Sequence, residues 1–190
     1  MSSAESLNDP FDCSFALNIE EAEKKSGNNN YDPVAAKKLQ LFCDRAATSM
    51  RRGAYVFSLS KTKDSILMWR HYVNNHTGIC VEYLLADLLD VCKKEKMYIL
   101  PVIYVEKREF IMGTNQYGQA MLKKAKCWEY ENEWRIIKYD QSLKDDHYEI
   151  IDCAKPTSII LGADIWKIKN ESYNEGNLSD VYIQNFARLK

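Results

Sequence analysis

The chain has 190 residues, of which 46% are hydrophobic and 28% charged, ordinary globular usage with enough apolar material for one core of normal size. Lys and Arg (26) nearly cancel Asp and Glu (27), so no global field draws the protein to DNA, RNA or anionic lipid. No basic-then-apolar leader opens the sequence and no apolar run approaches the roughly 18 residues of a membrane span, so the expectation is a cytoplasmic protein with no membrane partner and no particular partner otherwise indicated.

In chain order, residues 1–13 read as a turn marked by Asn8-Asp9-Pro10, and Gly27-Asn28-Asn29-Asn30 as a polar loop. Pro33 opens a helix running to about Met50, with Val34, Leu39, Leu41, Phe42 and Ala46 as its apolar side. Ala54 to Ser60 reads as a buried strand. Asp64 is the expected N-cap of a helix from Ser65 to Val73. Asn74 to Gly78 turns the chain into a strand from Ile79 to Leu84, and a short helix spans Ala86 to Lys94. Tyr98 to Val105 is a further strand, in which Pro101 points to a sheet edge or a bulge, because proline has no N–H to give a ladder. Gln116 to Lys126 reads as a helix. Tyr130 to Tyr139, His147 to Ile151 and Thr157 to Leu161 read as strands, with a last one expected at Val181 to Phe186. Strands outnumber helices and do not alternate with them strictly. The expected fold is therefore α+β, a mixed and mostly antiparallel sheet with helices packed against it, as a single domain over residues 1–190.

Six cysteines (Cys13, Cys43, Cys80, Cys92, Cys127 and Cys153) are scattered without a C-x-x-C, which favours buried reduced thiols over zinc or disulfide roles. No metal site is indicated. G-x-G-x-x-G, Walker, H-E-x-x-H and G-x-S-x-G motifs are absent from the sequence, which removes the common nucleotide-fold, metalloprotease and hydrolase signatures.

Three segments carry polar residues in settings that ask for an explanation. Ile66, Leu67, Met68, Trp69, Tyr72 and Val73 cover nearly the whole circumference of the Ser65–Val73 helix, so the helix is expected to be buried, with Arg70 and His71 inside it. A buried guanidinium cannot shed its proton and asks for an acidic partner. Two readings stand: a structural ion pair with a core histidine, or a cleft wall made by Arg70, His71 and Tyr72. In Trp128-Glu129-Tyr130-Glu131-Asn132-Glu133-Trp134-Arg135, strand periodicity puts Glu131, Glu133 and Arg135 on one face. Two like charges about 7 Å apart persist where a cation or substrate meets them, or where water screens them. Arg135 is placed to neutralise one, with Arg70 or Lys126 available for the other. Ser58 and Ser60 share a face at the end of their strand, set either to orient a ligand or to cap the following turn. His76 in its turn, and Asn8 to Asp12, read as structural.

These segments resemble a known family. Asn8-Asp9-Pro10-Phe11-Asp12, Phe57-Ser58-Leu59-Ser60, Leu67-Met68-Trp69-Arg70-His71-Tyr72 with His76 and Gly78, and Lys126 with Trp128 to Arg135 are similar to domain of unknown function 2971, a widespread bacterial family, over roughly residues 7–165. That name supplies no activity. More remotely, a Ser-x-Ser strand followed much later by Glu-x-Glu resembles ADP-ribosyltransferases. The resemblance implies NAD as a candidate substrate, with no cofactor otherwise indicated. It implies Ser58 and Ser60 as support for the nicotinamide riboside, Glu133 as the catalytic carboxylate, Glu131 as its acceptor-activating partner, and Trp69 or Tyr72 as a stacking platform. Arg70, His71 and Arg135 join these as candidate binding residues. Such enzymes also carry an earlier strand with His or Arg, whereas Asn8 lies only seven residues from the start, so the expectation is a fold lacking its first strand and a degenerate or truncated NAD-binding site. The alternative is an active NAD-consuming enzyme, a toxin or phage-defence effector centred on Glu133. Enzyme and non-catalytic module both stay open.

Overall fold

The computed structural model describes residues 1–7, 12–13, 19, 32–107, 117–140, 152–167 and 187–189. The turn expected at Asn8–Pro10, the loop at Gly27–Asn30 and the strands at His147–Ile151 and Val181–Phe186 lie outside them. Among the described residues the fold is α+β, and the chain divides into two compact units. The first comprises Met1–Phe57, Val102–Trp128 and Ile137–Ile151, the second Ser58–Pro101, Glu129–Ile136 and Asp152–Lys190.

In the first unit, β1 (Ser2–Ser3) runs antiparallel to the start of β2 (Ala54–Ser60), with Ser2 opposite Val56 and Ser3 opposite Tyr55. Around them Ala4, Cys13, Ala54, Val56, Met121 and Ile137 form a buried apolar cluster, with Leu7 and Leu122 against it. Asp12 is tied to this core through the Cys13 backbone N–H at 2.8 Å and the buried Lys124 ammonium at 3.7 Å. Helix α1 (Pro33–Arg52) starts as the sequence dictates: Pro33 takes the first turn and the Asp32 side chain accepts from the Val34 N–H at 2.9 Å. Its buried side differs from expectation. Val34, Leu39, Leu41 and Phe42 are exposed, Phe42 at 69%, and the buried residues are Ala36 and Ala47. The helix thus buries the stripe of small residues, which permits a close backbone approach.

The strand expected over Tyr98–Val105 breaks at Val102 into β4 (Tyr98–Pro101) and β5 (Ile103–Val105). Pro101 ends β4, an outermost strand of its sheet, where the missing N–H costs no ladder bond. β5 pairs instead with β6 (Lys123–Ala125), in parallel. The helix expected over Gln116–Lys126 is correspondingly short: α4 covers Tyr117–Ala120, and the lysine-rich stretch after it is strand.

The larger sheet has the strand order β4-β7-β2-β9-β3-β8, with β3 at Ile79–Tyr83, β7 at Glu133–Tyr139, β8 at Ser158–Leu161 and β9 at Ala187–Leu189. β3 lies antiparallel to β8, and β9 enters parallel to both β2 and β3. Bonds from Lys61 N–H to Asn132 O (3.1 Å) and Asp140 N–H to Gly53 O (2.8 Å) close the two ends of the antiparallel β2–β7 pair. Leu59, Val81, Leu88 and Ile136 supply buried apolar side chains, Leu88 from helix α3 (Leu85–Lys94).

Helix α2 (Ile66–Tyr72) departs most from the sequence reading. Its N-cap is Ser65, whose side chain accepts from Met68 N–H, rather than Asp64. Only Met68 within it is buried; Ile66 is 74% exposed, and Leu67, Arg70 and His71 face solvent. Helical periodicity reports where apolar side chains lie, but seven residues are too few for every side to find a neighbour. The inference that Arg70 must meet an acid falls with this, since water solvates its guanidinium. Beyond the helix, Asn74, Asn75 and His76 all take left-handed backbone (φ 44°, 52° and 66°), a conformation asparagine tolerates well. Gly162 closes over this turn: a Cβ there would lie 2.1 Å from the His76 carbonyl oxygen, so only glycine fits.

Candidate functional site

The second unit gathers most of the residues singled out in the sequence. Glu133 begins β7, and Arg135 follows two residues on, so the pleat sends both side chains to one face. Both are buried, at 4% and 0% exposure. Arg135 Nε donates to Glu133 Oε1 at 2.8 Å and Nη2 to Oε2 at 3.1 Å, a two-bond grip. A guanidinium stays charged at any accessible pH, so its burial demands such a partner. The acidic face is therefore neither exposed nor water-screened.

Ser58 lies on the neighbouring strand β2, and its hydroxyl donates to Glu133 Oε1 at 2.7 Å. Ser60, two residues further and buried, serves the backbone: its hydroxyl donates to Glu131 O at 2.7 Å and accepts from Thr62 N–H at 3.1 Å. Ser60 thus fixes the turn, one of the two readings of the serine pair, while Ser58 touches a carboxylate of the protein itself.

Glu131 is not on the strand. Lys126–Glu131 forms a 3-10 turn, and Asn132 takes a left-handed φ of 45° before β7 begins. Alternation therefore does not set the direction of Glu131, a correction to the single-face expectation. Glu131 is nevertheless buried, at 2% exposure, and its Oε1 accepts a short hydrogen bond from the Tyr72 hydroxyl of α2. The Tyr72 phenol is held well above its ordinary range, first by burial, then by the bond to Glu131 and the charges of Glu131 and Glu133. It remains a protonated donor to a carboxylate. His71 is exposed; its Nδ1 lies 3.2 Å from the Tyr130 hydroxyl, with the two rings edge to face.

Trp69 and Arg70 go elsewhere. The Trp69 indole N–H donates to Lys63 O at 2.6 Å and its ring lies parallel to His76, 6.3 Å between centroids. Arg70 points to water. A second polar cluster escaped the sequence reading: buried Glu82 on β3 accepts from the Ser158 hydroxyl and pairs with Lys63 at 3.4 Å. An acid within the apolar run Ile79–Tyr83 was its signal. All six cysteines are free thiols, and no group of three metal-ligating side chains occurs among the described residues.

The fold and the cluster define an α+β protein with a buried carboxylate–guanidinium–hydroxyl site. Residues 68–136, from Met68 in α2 to Ile136 in β7, match the family described as Protein of unknown function (DUF2971). The matched stretch includes Tyr72, Glu131, Glu133 and Arg135 and leaves Ser58 and Ser60 outside, so it is narrower than the span expected from the motifs. No curated protein and no solved structure matches the chain, and the likeness to ADP-ribosyltransferases draws no support from these comparisons.

Proposed function

We propose that the cluster around Glu133 is a binding site for a ribosyl nucleotide of the NAD class whose catalytic carboxylate is tied down, so that the site binds without turning its ligand over. The observation that carries this reading is the Arg135 grip on both Glu133 oxygens. A carboxylate that stabilises an oxocarbenium-like centre must direct its charge at the anomeric carbon. Here much of that charge is met inside the protein by a guanidinium. Ser58 and Glu131 supply hydroxyl and carboxylate groups of the kind that hold ribose hydroxyls. The test is calorimetric titration with NAD and with ADP-ribose, alongside nicotinamide release by wild type and Glu133→Gln. Binding with equal, background release in both proteins supports this function; absence of binding overturns it.

A second reading is favoured by one contact. The Ser58 hydroxyl stands 2.7 Å from Glu133 Oε1, and the resemblance to ADP-ribosyltransferases implies Ser58 as support for the nicotinamide riboside beside a catalytic Glu133, with Glu131 activating the acceptor. Under that reading the protein consumes NAD as a toxin or phage-defence effector. Nicotinamide release by wild type that disappears in Glu133→Gln would establish it over the first.

A further inference from the structure

Glu131 is buried, and the hydrogen bond from Tyr72 occupies its Oε1. The element that brings Tyr72 there has the character of a cover. Helix α2 is seven residues long and buries only Met68 of them, while Ile66, Leu67, Arg70 and His71 face solvent. Its C-terminal half meets Tyr130 and Glu131 through polar contacts that include Tyr72 to Glu131 and His71 to Tyr130. Trp69 is a further attachment, anchored to Lys63 O and laid along His76. An element with so little buried apolar area is cheap to displace, because local opening costs least where few packed contacts are lost.

A phenolic O–H on a carboxylate oxygen is chemically the contact that a ligand hydroxyl makes there. We propose that Tyr72 is an internal, autoinhibitory occupant of Glu131, standing in for a ligand hydroxyl, and that α2 lifts away when a polyhydroxylated ligand of the ribose class takes its place. The ligand half of this inference rests on the ribosyl-nucleotide reading of the site; the latch itself does not. The phenol then covers one oxygen of the buried Glu131 carboxylate until a competing hydroxyl arrives. Ligand affinity is lowered by the fraction of molecules in which the latch is closed.

Two measurements on the full chain separate the halves. Tyr72→Phe keeps the ring and removes the competing hydroxyl, so ADP-ribose is expected to bind about tenfold more tightly, the scale of one charge-assisted hydrogen bond. Equal or weaker binding overturns autoinhibition, because a Tyr72 that contacts ligand, or serves only the fold, would not give a gain. Without ligand, hydrogen exchange in Tyr72→Phe is expected to rise about tenfold in 66–73 and 126–133 together while β3 and β8 keep their protection. Unchanged exchange, or a uniform rise that includes β3 and β8, overturns the latch. If neither protein binds ADP-ribose, the ribosyl reading and the ligand half fail together, and the exchange result still decides whether Tyr72 latches α2.

Discussion

Arg135 and Glu133 stand two residues apart on one strand and meet through two hydrogen bonds, Nε to Oε1 and Nη2 to Oε2, with the guanidinium wholly buried. Removing either partner takes from the other the opposite charge that two hydrogen bonds hold against it. Arg135→Ala is expected to cost about 3–5 kcal/mol, the scale for breaking a buried pair from one side. Arg135→Lys is expected to recover only part of that, since an ammonium cannot reproduce the planar fork. Urea denaturation of both variants checks the order; an Arg135→Lys protein as stable as wild type would contradict it.

The serines are expected to separate on substitution. Ser60→Ala removes a buried hydroxyl that serves Glu131 O and Thr62 N–H, so a loss of about 1–3 kcal/mol is expected. Ser58 is exposed, and Glu133 keeps both Arg135 bonds when Ser58→Ala is made, so stability is expected to change by less than about 1 kcal/mol. Ligand binding at Glu133 should respond to Ser58→Ala instead. Thermal melts with parallel ADP-ribose titrations test the split.

Gly162→Ala places a methyl group 2.1 Å from the His76 carbonyl oxygen, where backbone rather than a flexible side chain must give way. Overpacking of this kind costs about 1–3 kcal/mol. The loss should appear in a denaturation midpoint and as faster hydrogen exchange in residues 74–78, which Gly162 and Asp164 hold by backbone bonds to Gly78 O and His76 O.

Alkaline stability should depend on Tyr83. Burial, then the charge and hydrogen bond of Cys153, push its phenol up to about 12 from an ordinary value near 10. Because the folded value is raised, the contribution is fully present below pH about 10. It is lost as pH rises through about 10 to 12, where the unfolded chain ionises first. Tyr83→Phe should flatten that part of the stability curve, measured by denaturant midpoint against pH. A slope unchanged by the substitution would assign the effect to other groups.

Thiol reactivity should sort by exposure and acidity. Cys127 and Cys153 are exposed and are expected to react first with a disulfide reagent at neutral pH. Cys13, Cys80 and Cys92 are buried, and burial, then the neighbouring Cys153, pushes the Cys92 thiol up to about 11. Cys92 should label only on unfolding, which peptide mass mapping after timed exposure will show.

Local chemistry was legible. Pro33 fixed where α1 starts, and Pro101 marked an outermost strand, because a missing N–H has the same consequence in any fold. The seven residues Ala54–Ser60 read as a strand and are one. Glu133 and Arg135 were placed on one face by period two alone, and they meet there. Less legible were features set by a single backbone angle or by distant neighbours. Asn132 at φ 45° takes Glu131 off the strand, and nothing in the pattern of alternation reports such a turn.

What the sequence by itself determined is the period of each element and the chemistry aligned along it, since both follow from backbone geometry over a few residues. Tertiary structure alone decided which side of each helix met a neighbour. It left the apolar faces of α1 and α2 largely in water and buried Ala36 and Ala47 instead. It also brought Tyr72 to Glu131 across 59 residues and Ser58 to Glu133 across 75. Burial and polar partnership depend on groups far apart in the chain, so they come into being only once the sheet has assembled around them.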